Sequence, residues 1–281
     1  MEIKITWYGT ACFVLDLGNY RLMLDPFFDR NPKSQPVSMA KKEEVPPIDA
    51  VLVTHAHFDH VTSIPYFLHR DHCRVLGDAQ VKTNITLLGI GEGLPDLPER
   101  IDPSDLATVE SVIPDNKYPL KKNNATIATA TPIQSQHIRF DAYQVFRVLF
   151  NLEVLRNRRK LLAYGKKLPK GNVLGWEIAY QGKRIVVFGS LYDKTPEYFA
   201  KFSPCDLLFI PLAGRNNITK PGLNVSRAFQ PRRVIPTHYD HFFPPISQWT
   251  DIARYESRMK QEMPNTQIIR PGIGTPFVVD L

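Results

Sequence analysis

Residues 54 to 60 read Thr54-His55-Ala56-His57-Phe58-Asp59-His60, which places four potential metal ligands within six residues. Imidazole nitrogens suit zinc, iron, manganese or nickel, and a carboxylate adds the negative charge a dication needs. Three of the chain's eight histidines fall here. The cluster directly follows Asp49-Ala50-Val51-Leu52-Val53, an apolar run of the kind that forms a buried strand. A helix would scatter side chains at this spacing around its circumference, and a strand would split them between its two faces, so the pattern predicts a tight loop at a strand end. Two more histidines occupy predicted strand ends: His137 follows Ile127-Ala128-Thr129-Ala130-Thr131, and His238 follows Arg233-Val234-Ile235-Pro236-Thr237.

The elements that must hold these residues alternate between strand and helix. A hairpin is expected from Cys12 to Leu24 around Gly18-Asn19, then the strand ending at Val53 and a short helix from about Ser63. Further strands are predicted at Trp176 to Tyr180, Arg184 to Phe188, Leu207 to Ile210 and Arg233 to Pro236. A helix is predicted from Ile246 to Met263, with closing strands at Gln267 to Arg270 and Phe277 to Val279. This makes two similar halves, each carrying metal-ligand residues at a strand end. The fold class that follows is α/β, with two sheets face to face and helices outside.

The motif His-x-His-x-Asp-His with two distant histidines resembles the metallo-β-lactamase superfamily. Its opening, Ile5-Thr6-Trp7-Tyr8-Gly9-Thr10 followed by Leu22-Met23-Leu24-Asp25-Pro26-Phe27, and its closing Val234-Ile235-Pro236-Thr237-His238-Tyr239 are similar to the branch that includes L-ascorbate-6-phosphate lactonase and N-acyl-phosphatidylethanolamine phospholipase D. The resemblance implies an αββα sandwich of two mixed β-sheets flanked by helices. It further implies one divalent ion on His55, His57 and His137 and a second on Asp59, His60 and His238, with Asp25 backing the ligands. Where that family carries a bridging Asp after Gly, this chain reads Gly189-Ser190. A serine hydroxyl is a neutral, weak ligand. Three outcomes stay open: a tight first site with a weak second one, which is the favoured reading; replacement of the missing carboxylate by Asp193; or loss of catalysis.

The ligand set dictates the chemistry. A cation held by neutral imidazoles lowers the pKa of its water towards roughly 7, so hydroxide is available at neutral pH. Asp59 would orient that nucleophile and accept its proton. The expected reaction is hydrolysis of an anionic ester, lactone or phosphodiester; the alternative is a metal-binding protein without turnover. Zinc is the expected ion, with manganese or iron as substitutes. His241, three residues past His238, is a candidate to polarise the substrate or to pair with Asp240. Arg215 and Asn216 are expected on a strand-end loop, and His69 and His72 at a helix C-terminus, where the dipole favours a cation.

Length and composition fit one metallo-hydrolase domain over 1–281, without a low-complexity linker. Three scattered cysteines exclude a disulfide framework. There is neither an apolar secretory leader at the start nor an apolar run of bilayer length, so a cytoplasmic protein is expected. From Arg147 to Lys170 the chain holds eight basic residues and one acid, Glu153, which equals the whole formal net charge of +7. Val145, Val148, Leu149, Leu152, Leu155 and Leu162 recur at helical spacing, predicting a basic amphipathic helical insertion at about 140–172. Such a helix could pack on the domain or on a second subunit, overhang the metal cleft and draw in a small-molecule or lipid-like anionic substrate, or make peripheral contact with an anionic membrane. A nucleic-acid partner is not expected, because the superfamily's nucleases resemble this chain only at the metal motif. No pattern sets an oligomeric state.

Overall fold

The computed structural model describes residues 1–36, 40–89, 102, 104–156, 166–191 and 196–281. The first sheet contains β1 (Glu2–Trp7), β2 (Phe13–Asp16), β3 (Arg21–Leu24), β4 (Ala50–Leu52), β5 (Arg74–Gly77), β6 (Val109–Ser111) and β14 (Phe277–Asp280). The second contains β7 (Tyr118–Lys122), β8 (Ala125–Ser135), β9 (Val173–Tyr180), β10 (Lys183–Phe188), β11 (Leu207–Pro211), β12 (Arg233–Thr237) and β13 (Gln267–Ile268). The strand orders are β14-β1-β2-β3-β4-β5-β6 and β13-β12-β11-β10-β9-β8-β7.

In each sheet four strands pair antiparallel and the last of them starts a parallel run of four: β3 to β6 in the first sheet, β10 to β13 in the second. The two similar halves expected from the sequence are therefore matched in pairing pattern. β14, the last strand of the chain, closes the first sheet rather than the second.

Alternation along the strands builds the layers. Leu22, Leu24 and Leu52 of one sheet and Ile185, Val187 and Phe209 of the other point into the core shared by the sheets. Their neighbours point outward: Met23 and Val51 pack against α2 (Ile64–Asp71) and α3 (Ala79–Gly89) through Phe67, Leu68 and Ile85. On the opposite outside, Val186, Leu208 and Ile210 pack against α5 (Thr219–Phe229) and α6 (Ala253–Glu262) through Phe229, Tyr255 and Met259. The result is an αββα sandwich of two mixed sheets.

Two of the predicted helices differ from the sequence reading. The helix expected from Ile246 begins only at Ala253. A turn at 244–246, held by the Phe243 N–H donating to Ser247 Oγ at 2.6 Å, diverts the chain, and the Thr250 N–H is taken by the Tyr239 carbonyl. The basic helix is interrupted: α4 (Ala142–Leu149) stops, and Asn151 Oδ1 accepts from the N–H groups of Glu153 and Val154, capping a second helical stretch at 152–156. Leu162 and the basic residues Arg158, Arg159 and Lys160 lie outside the described residues.

Candidate metal centre

Each predicted ligand among the described residues sits at or just beyond a strand end, and these ends lie on one side of the sandwich, the carboxyl side of the parallel strands, where ligands bind in open α/β sheets. Asp25 follows β3, His55 and His57 follow β4, His137 lies two residues past β8, Ser190 two past β10, and His238 directly follows β12. The motif is not a loop throughout. It passes into a single helical turn, α1 (Phe58–Val61), so Asp59 and His60 stand on helix while His55 and His57 stand on the approach. That change of backbone aims the four side chains into two directions.

The ligand atoms of His55, His57 and His137 lie within 4.8 Å of one another, and so do those of Asp59, His60 and His238. His55 Nε2 and His57 Nδ1 are 3.1 Å apart. That separation is close to the edge of a tetrahedron with metal–nitrogen bonds of about 2.0–2.1 Å. Burial lowers His55 far below its ordinary pKa, brings His57 down to about 4, and lowers His137 as well. Both nitrogens of the 3.1 Å contact therefore belong to neutral rings at pH 7, with lone pairs to offer. For Asp59, burial works to raise the carboxyl, but His60, His238 and His57 outweigh it, and it is ionised well below the usual carboxylate range. His60 is pulled down by burial and carried the other way by Asp25 and Asp59, with the net shift upward.

Neighbours set the tautomers. Asp25 Oδ2 holds His60 Nδ1 at 2.8 Å, which turns Nε2 towards Asp59 Oδ2, 3.5 Å away. Asp25 is itself held by the Thr54 N–H at 2.7 Å and the Thr54 hydroxyl at 2.6 Å. Gly189 makes this triad possible, since a Cβ there would lie 2.0 Å from Thr54 Oγ1 and 2.6 Å from Asp25 Oδ2. His137 Nδ1 donates to the Ile138 carbonyl at 2.8 Å, leaving Nε2 for a ligand. The Ile138 N–H in turn donates to Ser190 Oγ at 3.1 Å, so this hydroxyl braces the His137 segment from the cavity wall.

His238 is fixed by residues that the sequence reading did not single out. Its backbone is left-handed, with φ of 56°, and its N–H donates to the Thr10 carbonyl at 3.0 Å. The Thr10 N–H donates to both Asp240 oxygens, at 3.1 and 3.2 Å, and Arg30 Nη2 donates to Asp240 Oδ2 at 2.7 Å. The Arg30 and Asp240 side chains are 3% and 0% exposed. His238 Nε2 is 3.4 Å from Asp59 Oδ2, and its Nδ1 is buried without a partner.

His241 is not brought to either trio. Its Nδ1 shares a hydrogen bond with Ser247 Oγ at 2.9 Å, and Asp240, its expected partner, is taken by Arg30 and Thr10. His241 reaches the cavity only through Ser247, which lines it. Asp193 lies outside the described residues. Arg215 Nε donates to the Arg139 carbonyl at 2.7 Å and the Asn216 N–H to Asp141 Oδ2 at 2.8 Å, so their loop fastens the chain just ahead of α4. His69 and His72 are at the end of α2, where His72 Nδ1 meets Asp105 at 3.0 Å.

The two trios open onto a cavity of about 400 Å³. His57, Asp59, His137, Ser190 and His238 form its polar floor, while Phe58, Phe140, Leu168, Phe242, Phe243 and Ile246 make apolar walls. Gln144, Arg147 and Val148 of α4 complete the rim. The arrangement can hold divalent ions at one end and the apolar body of a molecule at the other.

Known proteins share this architecture. The chain is 23% identical over 282 residues to a metal-dependent hydrolase of Pyrococcus furiosus, spanning 96% of this chain and 97% of the other. It is 25% identical over 267 residues to a metal-dependent hydrolase of Polynucleobacter asymbioticus, spanning 92% and 81%. A metallo hydrolase from the hyperthermophilic archaeon Ignicoccus hospitalis superposes over the full length of both chains with a TM-score of 0.68 at 15% identity. With residues 20–239 matching the Beta-lactamase superfamily domain, from β3 to the residue after His238, the chain belongs to that family.

Proposed function

We propose that this protein is a metal-dependent hydrolase in which His55, His57 and His137 hold one divalent cation and Asp59, His60 and His238 a second, weaker one. One observation carries the reading: six side chains from three separate stretches of sequence gather into two trios, and His57, Asp59, His137 and His238 among them line a single cavity. The donors fit such ions, since imidazoles and an ionised carboxylate converge, with the far nitrogens of His60 and His137 already hydrogen-bonded. A cation bound there supplies hydroxide at neutral pH and polarises the bond to be cleaved. Zinc is the ion that imidazole-rich tetrahedral sites favour, with manganese and iron as the substitutes to test.

The chain's own residues do the rest. Asp59, ionised and at 3.4 to 3.5 Å from His60 and His238, orients a nucleophile and takes its proton. The apolar walls exclude water and seat the body of the substrate. His241 acts at one remove, holding Ser247 and with it the 243–247 wall. The substrate class that fits is an ester, lactone or phosphodiester whose anionic part meets the metal floor and whose remainder is apolar.

Ser190 favours the weaker second site. Its hydroxyl already serves the Ile138 N–H and brings no charge, so only Asp59 supplies negative charge to the two trios. Metal-binding without turnover is the second reading, resting on the same residue. A panel of chromogenic esters, lactones and phosphodiesters, assayed with added zinc and manganese, separates the two. Turnover abolished by His57→Ala supports the hydrolase, whereas activity that survives this change belongs to a contaminant.

A further inference from the structure

The helix over the cavity is inside out. α4 buries Gln144 and turns Arg147 inward, where its guanidinium donates to Gln144 Oε1 and to the Ile246 carbonyl. Apart from Val148, its large apolar side chains face solvent instead. Tyr143, Phe146, Leu149 and Phe150 are 54 to 73% exposed, and Leu152 and Leu155 continue the face at 69 and 44%. Eight of the eleven exposed large apolar side chains among the described residues fall between 140 and 155. A helix packed on a domain in water shows the opposite polarity, with its apolar stripe against the core. An apolar patch of this kind marks a surface that is covered in use.

Charge says by what. Arg156, exposed, ends the helical stretch that carries the patch, Arg158, Arg159 and Lys160 follow it in the sequence, and the acid within the patch, Glu153, is matched by Lys33 Nζ at 2.8 Å. A second copy docking here by twofold symmetry would set this cationic fringe against itself. An anionic lipid surface complements it. We propose that residues 140–156 dock on an anionic phospholipid bilayer, with the Phe146–Phe150 face in the headgroup–acyl boundary and the basic residues at the phosphates. The rings of Phe146 and Phe150 are stacked with centroids 5.6 Å apart, so they enter as one wedge. No helix among the described residues is long and apolar enough to cross a membrane, so this is contact with one leaflet.

The same helix lines the cavity through Gln144, Arg147 and Val148. Docking therefore sets the apolar cavity about one helix diameter, roughly 10 Å, from the bilayer surface. An amphiphile leaving the leaflet would pass under α4 and bring its polar linkage to the floor. This route rests on the hydrolase reading, whereas the docking face does not.

Sedimentation with mixed phosphatidylcholine–phosphatidylglycerol vesicles against pure phosphatidylcholine vesicles, at low and high salt, tests the proposal on the full chain. Binding is expected to the anionic vesicles at low salt and to weaken on adding salt. Reversing charge at Arg156→Glu should lower it by about fivefold or more. Phe150→Trp should show a blue-shifted emission with anionic vesicles only. Absence of binding to anionic vesicles at low salt overturns the proposal, and so does binding that leaves the introduced tryptophan in water. A concentration-dependent dimer abolished by Phe150→Glu would instead make the face a contact between copies. Loss of vesicle binding with His57-dependent hydrolysis intact refutes docking alone; the reverse outcome refutes the hydrolase alone.

Discussion

Asp240→Asn should separate the two halves of the metal centre. The wild-type carboxylate accepts from the Thr10 N–H and from Arg30 Nη2, and the pair is almost wholly buried. Arg30 has no spare partners there, because its Nε and Nη1 are already buried without hydrogen bonds. A neutral amide leaves the guanidinium uncompensated, and breaking a buried pair in this way costs about 3–5 kcal/mol. For a chain of this size that corresponds to a fall in Tm of roughly 10 °C, read by circular dichroism. The local effect is sharper. The amide keeps a single acceptor oxygen for which Thr10 and Arg30 compete, so the anchor that lets the Thr10 carbonyl hold His238 in a left-handed conformation is weakened, and the Asp59, His60 and His238 site should lose metal affinity in chelator competition while the His55, His57 and His137 site keeps it. Replacing both partners, Arg30→Met with Asp240→Leu, should recover most of the stability but not the weak-site affinity. A single variant that melts within a degree or two of wild type and binds both ions unchanged refutes this account of the latch.

Gly189→Ala drives a methyl group into Thr54 and Asp25 and should cost about 1–3 kcal/mol through overpacking, with reduced metal content on purification. Ser190→Asp should raise occupancy of the weaker site, measured by elemental analysis at limiting zinc, because it returns a negative charge to the floor; unchanged occupancy would mean that charge does not limit that site. Acid should empty the sites in order. His55, His57 and His137 are lowered by burial, His57 to about 4, so protons compete at that trio only at a pH below the ordinary histidine range. His60 is raised above its ordinary value, so a proton competes with metal at the Asp59, His60 and His238 site at a higher pH than at the first trio, and that ion should leave first in a pH-stepped dialysis.

The central parallel strands were legible because both their faces are buried, which writes continuous apolar runs such as Ala50–Leu52 and Leu207–Ile210 into the chain. The ligands were legible because three histidines and an aspartate at close spacing have few structural uses. What holds the ligands was not. Thr10, Arg30 and Asp240 meet across 210 to 230 positions, and no local pattern records that contact. The orientation of α4 was equally hidden. Its periodicity is real, but periodicity gives a face without saying which way it points, and here the buried side is the one bearing Gln144 and Arg147. Ile246 to Ile252 read as helix because their apolar spacing permits it; the turn at 244–246 and the pull of Tyr239 on Thr250 decided otherwise.

Elemental analysis of protein purified without chelator, for wild type, His137→Ala and His238→Ala side by side, tests the centre most directly. The structure predicts about one tightly held divalent ion per wild-type chain, lost in His137→Ala and retained in His238→Ala. Metal-free wild type after purification in zinc-supplemented buffer, or an ion indifferent to His137, would contradict the proposed centre.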